Sequence, residues 1–277
     1  MSDAALTSQA ELPRPNWARV VATLSWREWV RFVRQRNRVF GAVGQPIIFW
    51  VLFAAGLGPS FRLPGAAAAN VSYGEYFFPG TVILILLFTA IFTTISVIED
   101  RREGFLQGVL VAPIPRSAMV FGKLVGGTLI ALAQAYLFTL LGLAIGFHVS
   151  VASVLLIALL LGVVGFALTG LGFVLAWRMD STQGFHAVMS VLLMPMWLLS
   201  GAFFPPGEGV MAWMIRLNPL TYGVAGLRRL LYLGADATAL PEHLPGMTTC
   251  WVVSLAFAVA MTVAAWWVAG RRTTPGG

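Results

Sequence analysis

The chain has 277 residues, of which 58% are hydrophobic and 10% charged, with a formal net charge of +7, whereas a soluble domain carries roughly a quarter charged residues. No water-soluble fold of this size can hide so much apolar surface, and the apolar residues fall in runs near the about 20 that cross a hydrocarbon core as helix. The basic residues flank these runs instead of lining one face, which points to anionic lipid headgroups as the counter-charge and away from nucleic acid.

Residues 1–38 form a polar tail. Within it Trp17–Arg38 reads as an amphipathic helix, with Trp17, Val20, Val21, Leu24 and Trp29 alternating with arginines. Such a segment either lies along the inner membrane surface, with tryptophan at the headgroup level, or is a basic flank that only fixes orientation. Asp3, Glu11 and a first apolar run near residue 39 do not match a cleavable signal peptide.

Residues 39–277 read as an all-α integral membrane domain with six transmembrane helices, at about 39–58, 77–98, 120–147, 151–177, 185–204 and 247–269. Gly44–Gln45–Pro46 and Met194–Pro195 punctuate two of them, as neighbouring helices in lipid allow. Gly162, Gly165, Gly170 and Gly172 would let another helix come close to the fourth. A charged elbow, 99–116, joins the second and third spans. A segment at 205–246, too polar to span and too apolar for a plain loop, precedes the sixth.

Basic residues concentrate on the cytoplasmic side. An inside N-terminus puts Arg14, Arg19, Arg27, Arg31, Arg34, Arg36, Arg38, Arg101, Arg102, Arg116, Lys123, Arg178, Arg271 and Arg272 there, leaving Arg62, Arg216, Arg228 and Arg229 elsewhere. Both termini are then cytoplasmic, in a multi-pass protein of the cell's inner (plasma) membrane.

No glycine-rich phosphate loop is present, since Gly122–Lys123 is followed by Leu124. A serine elbow, an H-E-x-x-H helix and clustered histidines are also missing. The lone Cys250 permits no intrachain disulfide. Ion-coupled carriers place ionisable residues at mid-bilayer, yet Glu99 and Asp100 fall just past the second span and His148 and His186 at span edges. The elbow itself, charged at first and amphipathic after, is either a docking surface for a cytoplasmic partner or a solvated loop.

The run E-D-R-R-E-G-F-L-Q-G-V-L-V-A-P-I-P-R from Glu99 to Arg116, followed by G-K-L, resembles the cytoplasmic signature of type-2 ABC exporter permeases, the membrane subunits of drug-resistance, nodulation-factor and polysaccharide export systems. Leu199–Pro205, Asn218–Tyr222 and Leu227–Arg228 are similar to that family's outer-leaflet region. The resemblance implies a coupling helix within Glu99–Arg116 that fits the ATPase subunit, with Glu103, Gly104, Leu106, Pro113 and Arg116 as its signature positions. Phe105 and Gln107–Gly108 depart from the pattern, and a glycine costs about 1 kcal/mol in a helix. It also implies a re-entrant helical hairpin across Glu208–Tyr232, marked by Gly201, Pro205, Asn218, Pro219, Tyr222 and Arg228. A hairpin lying on the surface is the alternative, and Arg228 and Arg229 are expected to snorkel to headgroups.

The function so implied is an exporter permease that moves a drug, lipid or lipid-linked glycan outward. It binds no cofactor itself, because ATP and Mg reside on the partner. Two ABC ATPase subunits and a second permease chain, identical or related, complete the complex, with a pathway along the dimer axis. Phe49, Phe88, Phe92, Met194 and Trp197 are candidates for its lining. A membrane-embedded transferase and a non-transport scaffold are the rival readings.

Overall fold

The computed structural model describes residues 16–58, 72–147, 150–203, 209–233 and 244–271. Pro205 and His148 lie outside the described residues. Among those described, every regular element is helical. In chain order these are α1 (Trp17–Arg34), α2 (Arg36–Leu57), α3 (Tyr73–Thr93), α4 (Ile95–Arg102), α5 (Phe105–Val111), α6 (Arg116–Ile145), α7 (Val151–Trp177), α8 (Thr182–Trp197), a π-helical turn at Leu198–Ala202, α9 (Val210–Leu217), α10 (Pro219–Leu231) and α11 (Met247–Gly270).

Five stretches are long and apolar enough to cross a bilayer: Tyr73–Arg102, Arg116–Gly142, Val151–Trp177, Thr182–Ala202 and Met247–Gly270. The expected first span differs, since the apolar part of α2, Gly44–Leu57, is shorter than the others.

Side-chain caps set the helix starts. Ser72 and Glu75 form a reciprocal capping box at α3, while Ser150 and Ser181 each accept an amide in the first turn of α7 and α8. At α10 the Asn218 Oδ1 accepts the Leu220 amide at 3.0 Å, with Pro219 at the first helical position where no amide is needed.

Apolar on all sides, α3 sits at the centre, with Phe77, Phe78, Val82, Ile83 and Ile85 fully buried. It packs on α2, α6, α7 and α10, and α11 closes on α7. Because lipid tails are as apolar as leucine, close van der Waals fit and not burial from water holds such helices together. Of the four glycines expected to admit a neighbour on α7, Gly165, Gly170 and Gly172 meet Leu86, Met261 and Thr94, while Gly162 has nothing within 4 Å.

At the end away from the elbow, Phe53, Tyr73, Phe77, Trp197 and Phe203 form one aromatic cluster, with Phe53 and Phe203 edge-to-face at 4.9 Å, while Trp50 packs against Phe78 and Phe138.

Candidate functional site

The elbow end is built around an acid that faces no water. Asp100, at 0% exposure, ends the continuous apolar track of α3 and α4. Its Oδ1 accepts from Arg27 Nη2 at 2.7 Å and Arg31 Nη1 at 2.9 Å, and its Oδ2 from Arg27 Nη1 at 3.0 Å and from Lys123. Lys123 Nζ also donates to Glu28 Oε1 at 2.6 Å and Ser96 Oγ at 3.1 Å. Arg31 reaches on to Glu99 at 2.7 Å and Glu103 at 3.6 Å. Burial alone would disfavour the charged form of Arg27, but the hydrogen bonds and charge of Asp100 outweigh it and raise its pKa.

This cluster joins three helices, α1, α4 and α6, that are far apart in sequence. It forms because α6 offers α1 a seam of small residues, Gly122 and Gly126, one turn apart. A Cβ on Gly122 would lie 2.7 Å from Leu24 Cβ, and one on Gly126 2.9 Å from Glu28 Cβ. The Ser25 hydroxyl donates to the Gly122 carbonyl at 3.0 Å. The buried stripe of α1 is therefore Leu24, Ser25 and Glu28, whereas Trp17 is exposed. Trp17 still bears on α6, its Nε1 donating to Ser117 Oγ at 3.2 Å and its ring lying 5.5 Å from that of Phe121, so the helix docks by the side its apolar residues mark.

After α4 the chain turns at Gly104, whose φ of +76° lies in the left-handed region that costs other residues about 1–2 kcal/mol. Helix α5 follows with seven residues, and Gly108 does not end it. Its inner face is pinned by buried Leu106 and by Phe105, over whose ring the Arg27 guanidinium sits at 3.7 Å. Its other face, Gln107, Gly108, Leu110 and Val111, is exposed. Pro113 is exposed, and Arg116 Nη1 donates to the Gly270 carbonyl at 2.9 Å, tying the elbow's far end to α11.

A cavity of about 400 Å³ opens between α2, α3 and α8. Phe49, Phe88 and Phe92 line it together with Gln45, Thr89 and His186. The other two pathway candidates are elsewhere: Trp197 is buried in the aromatic cluster and donates to the Gly80 carbonyl at 2.9 Å, and Met194 packs on the core. Behind Thr89, whose hydroxyl donates to Gln134 Oε1 at 2.5 Å, the Gln134 amide nitrogen is buried without a partner among the described residues.

The region before α11 is stitched by side chains to backbone. Helix α8 loses its ladder at the π-helical turn, where Leu199 leaves helical geometry and Gly201 adopts φ +71°. Its stranded carbonyls are taken up by Asn218 Nδ2 on Met196 O at 2.5 Å and Ser200 Oγ on Trp197 O at 2.6 Å. Tyr76 donates to Gly201 O at 3.2 Å, and Tyr222 to Arg216 O at 2.9 Å. Contrary to the snorkelling expectation, Arg228 turns inward to 4% exposure, lies 4.3 Å from the Tyr76 ring and donates to the Tyr76 carbonyl at 3.0 Å. Arg229 is held by the carbonyls of Leu244 and Pro245.

Sequence reasoning passed over Glu28 and Lys123. The available signal was that Glu28 is the one acid in α1, one turn from Leu24, opposite a lysine set between two glycines.

Fold and site together define a polytopic helical membrane protein whose buried carboxylates, Glu28 and Asp100, gather with Lys123 at the elbow. The sequence model of the ABC-2 type transporter matches residues 19–232, and the chain belongs to that family, as a membrane permease component. It is similar to the "Putative transport permease ycf38" of Cyanophora paradoxa, 25% identical over 213 residues that cover 74% of this chain and 71% of that protein. The protein of the same description in Porphyra purpurea is 26% identical over 224 residues, 78% of this chain and 75% of its own. The "Probable multidrug ABC transporter permease YbhR" of Escherichia coli K12 is 26% identical over 157 residues, 55% of this chain and 42% of that protein.

Proposed function

We propose that this chain is the conduit of an exporter in which separate nucleotide-binding subunits, carrying ATP and Mg, dock on α5 and drive an amphipathic substrate outward. The observation that carries the reading is that α5 is anchored on one side and bare on the other. Leu106 is 4% exposed and Val111 85% exposed, so an apolar surface faces away from the bundle at its charged edge, as a docking knob requires. Glu103, Gly104, Pro113 and Arg116 shape that knob. ATP binding then shifts the permease by as much as its ATPase pair prefers one conformation over the other.

In this reading α2 is the first of six spans, the elbow and both termini are cytoplasmic in the inner (plasma) membrane, and α9–α10 form the re-entrant hairpin. Two permease chains, identical or related, bring their cavities to a common axis with one ATPase each. The phenylalanine wall with a few polar groups suits drugs, lipids or lipid-linked glycans, and the multidrug description of the YbhR relative supports the first of these.

The test is efflux of an amphipathic fluorescent dye from liposomes holding chain and ATPase. Glu103→Ala with Gly104→Ala should abolish ATP-driven export and leave membrane insertion intact. Export retained by that variant overturns the docking assignment, and export without the ATPase overturns the division of labour.

A further inference from the structure

The run Glu99–Arg102 faces two ways. Its acids turn to the arginines of α1 and to Lys123, as described above. Its arginines turn to the short connection between α7 and α8. Arg101 Nη2 donates to the Trp177 carbonyl at 2.5 Å, and Nη1 to the Met179 carbonyl at 3.3 Å and the Asp180 carboxylate at 3.1 Å. Arg102 donates through Nε and Nη2 to the Asp180 carbonyl at 3.0 and 2.7 Å. The Trp177 carbonyl stands at the C-terminal end of α7, where the helix has no amides left to offer and its dipole is negative, and those of Met179 and Asp180 belong to the connection itself, so two cations hold both. The Asp180 side chain is 92% exposed, so its ion pair with Arg101 adds little. The grip is on the backbone.

What hangs from that connection is α8. It starts two residues past Asp180, with Ser181 as its cap. It rests on the bundle along a single ridge of residues four apart, Phe185, Met189, Leu193 and Trp197, while Val191 on the other side is 77% exposed. His186 brings α8 to the cavity, its ring 5.4 Å from that of Phe92. At its far end the helix breaks in the π-helical turn. α8 is thus a strut gripped at one end and jointed at the other, with the cavity alongside.

We infer that Arg101 and Arg102 are positioning residues that carry displacement of the α4–α5 elbow into α8, so that α8 is the cavity wall the ATPase moves. The inference rests on α5 as the ATPase seat. A guanidinium fork is planar and binds in one orientation, so the connection follows α4 instead of sliding past it. The acids of the same run hold α1 and α6 to the elbow from the other side, which makes Glu99–Arg102 a bracket between two parts of the permease.

The experiment uses the full permease with its ATPase subunits in nanodiscs, in a Cys250→Ala background. Spin-label pairs at Pro115 with Val259 and at Val191 with Val259 report elbow and α8 against α11, in samples diluted with unlabelled chain, the elbow label being exposed and outside α5. Both pair distances should shift between nucleotide-free and vanadate-trapped complexes. With Arg101→Gln and Arg102→Gln the elbow pair should still shift and the α8 pair should not. Two glycines inserted between Asp180 and Ser181, which leave both arginines in place, should give the same loss and decide the matter if the arginine variant does not assemble. An α8 shift that survives in either variant while the elbow moves overturns the bracket. An elbow pair that stays still in the unaltered complex overturns the ATPase seat on α5, and with it the premise.

Discussion

Lys123→Met removes the one ammonium that Glu28 and Asp100 share. Asp100 keeps two guanidinium groups, but Glu28, 4% exposed, is left with only the 3.3 Å contact to Arg27. Removing one partner of a buried pair costs about 3–5 kcal/mol, and the remaining contact puts this case near about 3 kcal/mol. At about 2–4 °C per kcal/mol for a chain of this size, the melting temperature should fall by about 6–12 °C. Adding Glu28→Met removes the stranded acid with a side chain of similar length, and most of the loss should return, since apolar replacements of buried ion pairs are often neutral. Unfolding can be followed in detergent by the reactivity of Cys250, a thiol at 0% exposure that becomes accessible only when α11 and α10 part. A single variant that melts within about 2 °C of the parent, or a double variant no better than the single, refutes the reasoning.

The other predictions are local. Gly104→Ala forces a side chain into left-handed backbone at a cost of about 1–2 kcal/mol and tilts α5, so capture of the ATPase subunit on beads should fall while expression holds. Gly122→Leu collides with Leu24 across the seam and should release α1, making it the first site of limited proteolysis. Asn218→Ala removes both the α10 cap and the donor to Met196, and should lower the melting temperature with a cost of about 1–2 kcal/mol. Arg228→Met, by contrast, removes a buried cation with no carboxylate bonded to it among the described residues, and should cost less than Lys123→Met in the same Cys250 assay.

The sequence disclosed what depends on neighbours along the chain. Unbroken apolar length with a serine just ahead marks α7, and Asn218–Pro219 marks the start of α10, because caps and hydropathy are local signals. It disclosed the apolar side of α1, where Leu24 is buried and Val20, Val21 and Trp29 are half-buried, but not what covers that side, because the seam belongs to Gly122 and Gly126, about a hundred residues on. For the same reason Lys123 read as an orientation charge when it is the centre of a cluster, and Arg228 as a headgroup anchor when Tyr76 holds it inside. In the cavity, the phenylalanines of α2 and α3 were within reach of the pattern. The retreat of Trp197 was not, since it follows from a break in α8 that only the π-helical turn reveals.

The proposed ATPase seat is the exposed side of α5. A photo-crosslinking residue at Val111 in membranes containing both subunits tests it most directly. A covalent adduct with the ATPase is expected from Val111 and none from Val210, at the opposite end of the bundle. An adduct from Val210, or no adduct from Val111 in an ATP-hydrolysing complex, contradicts it.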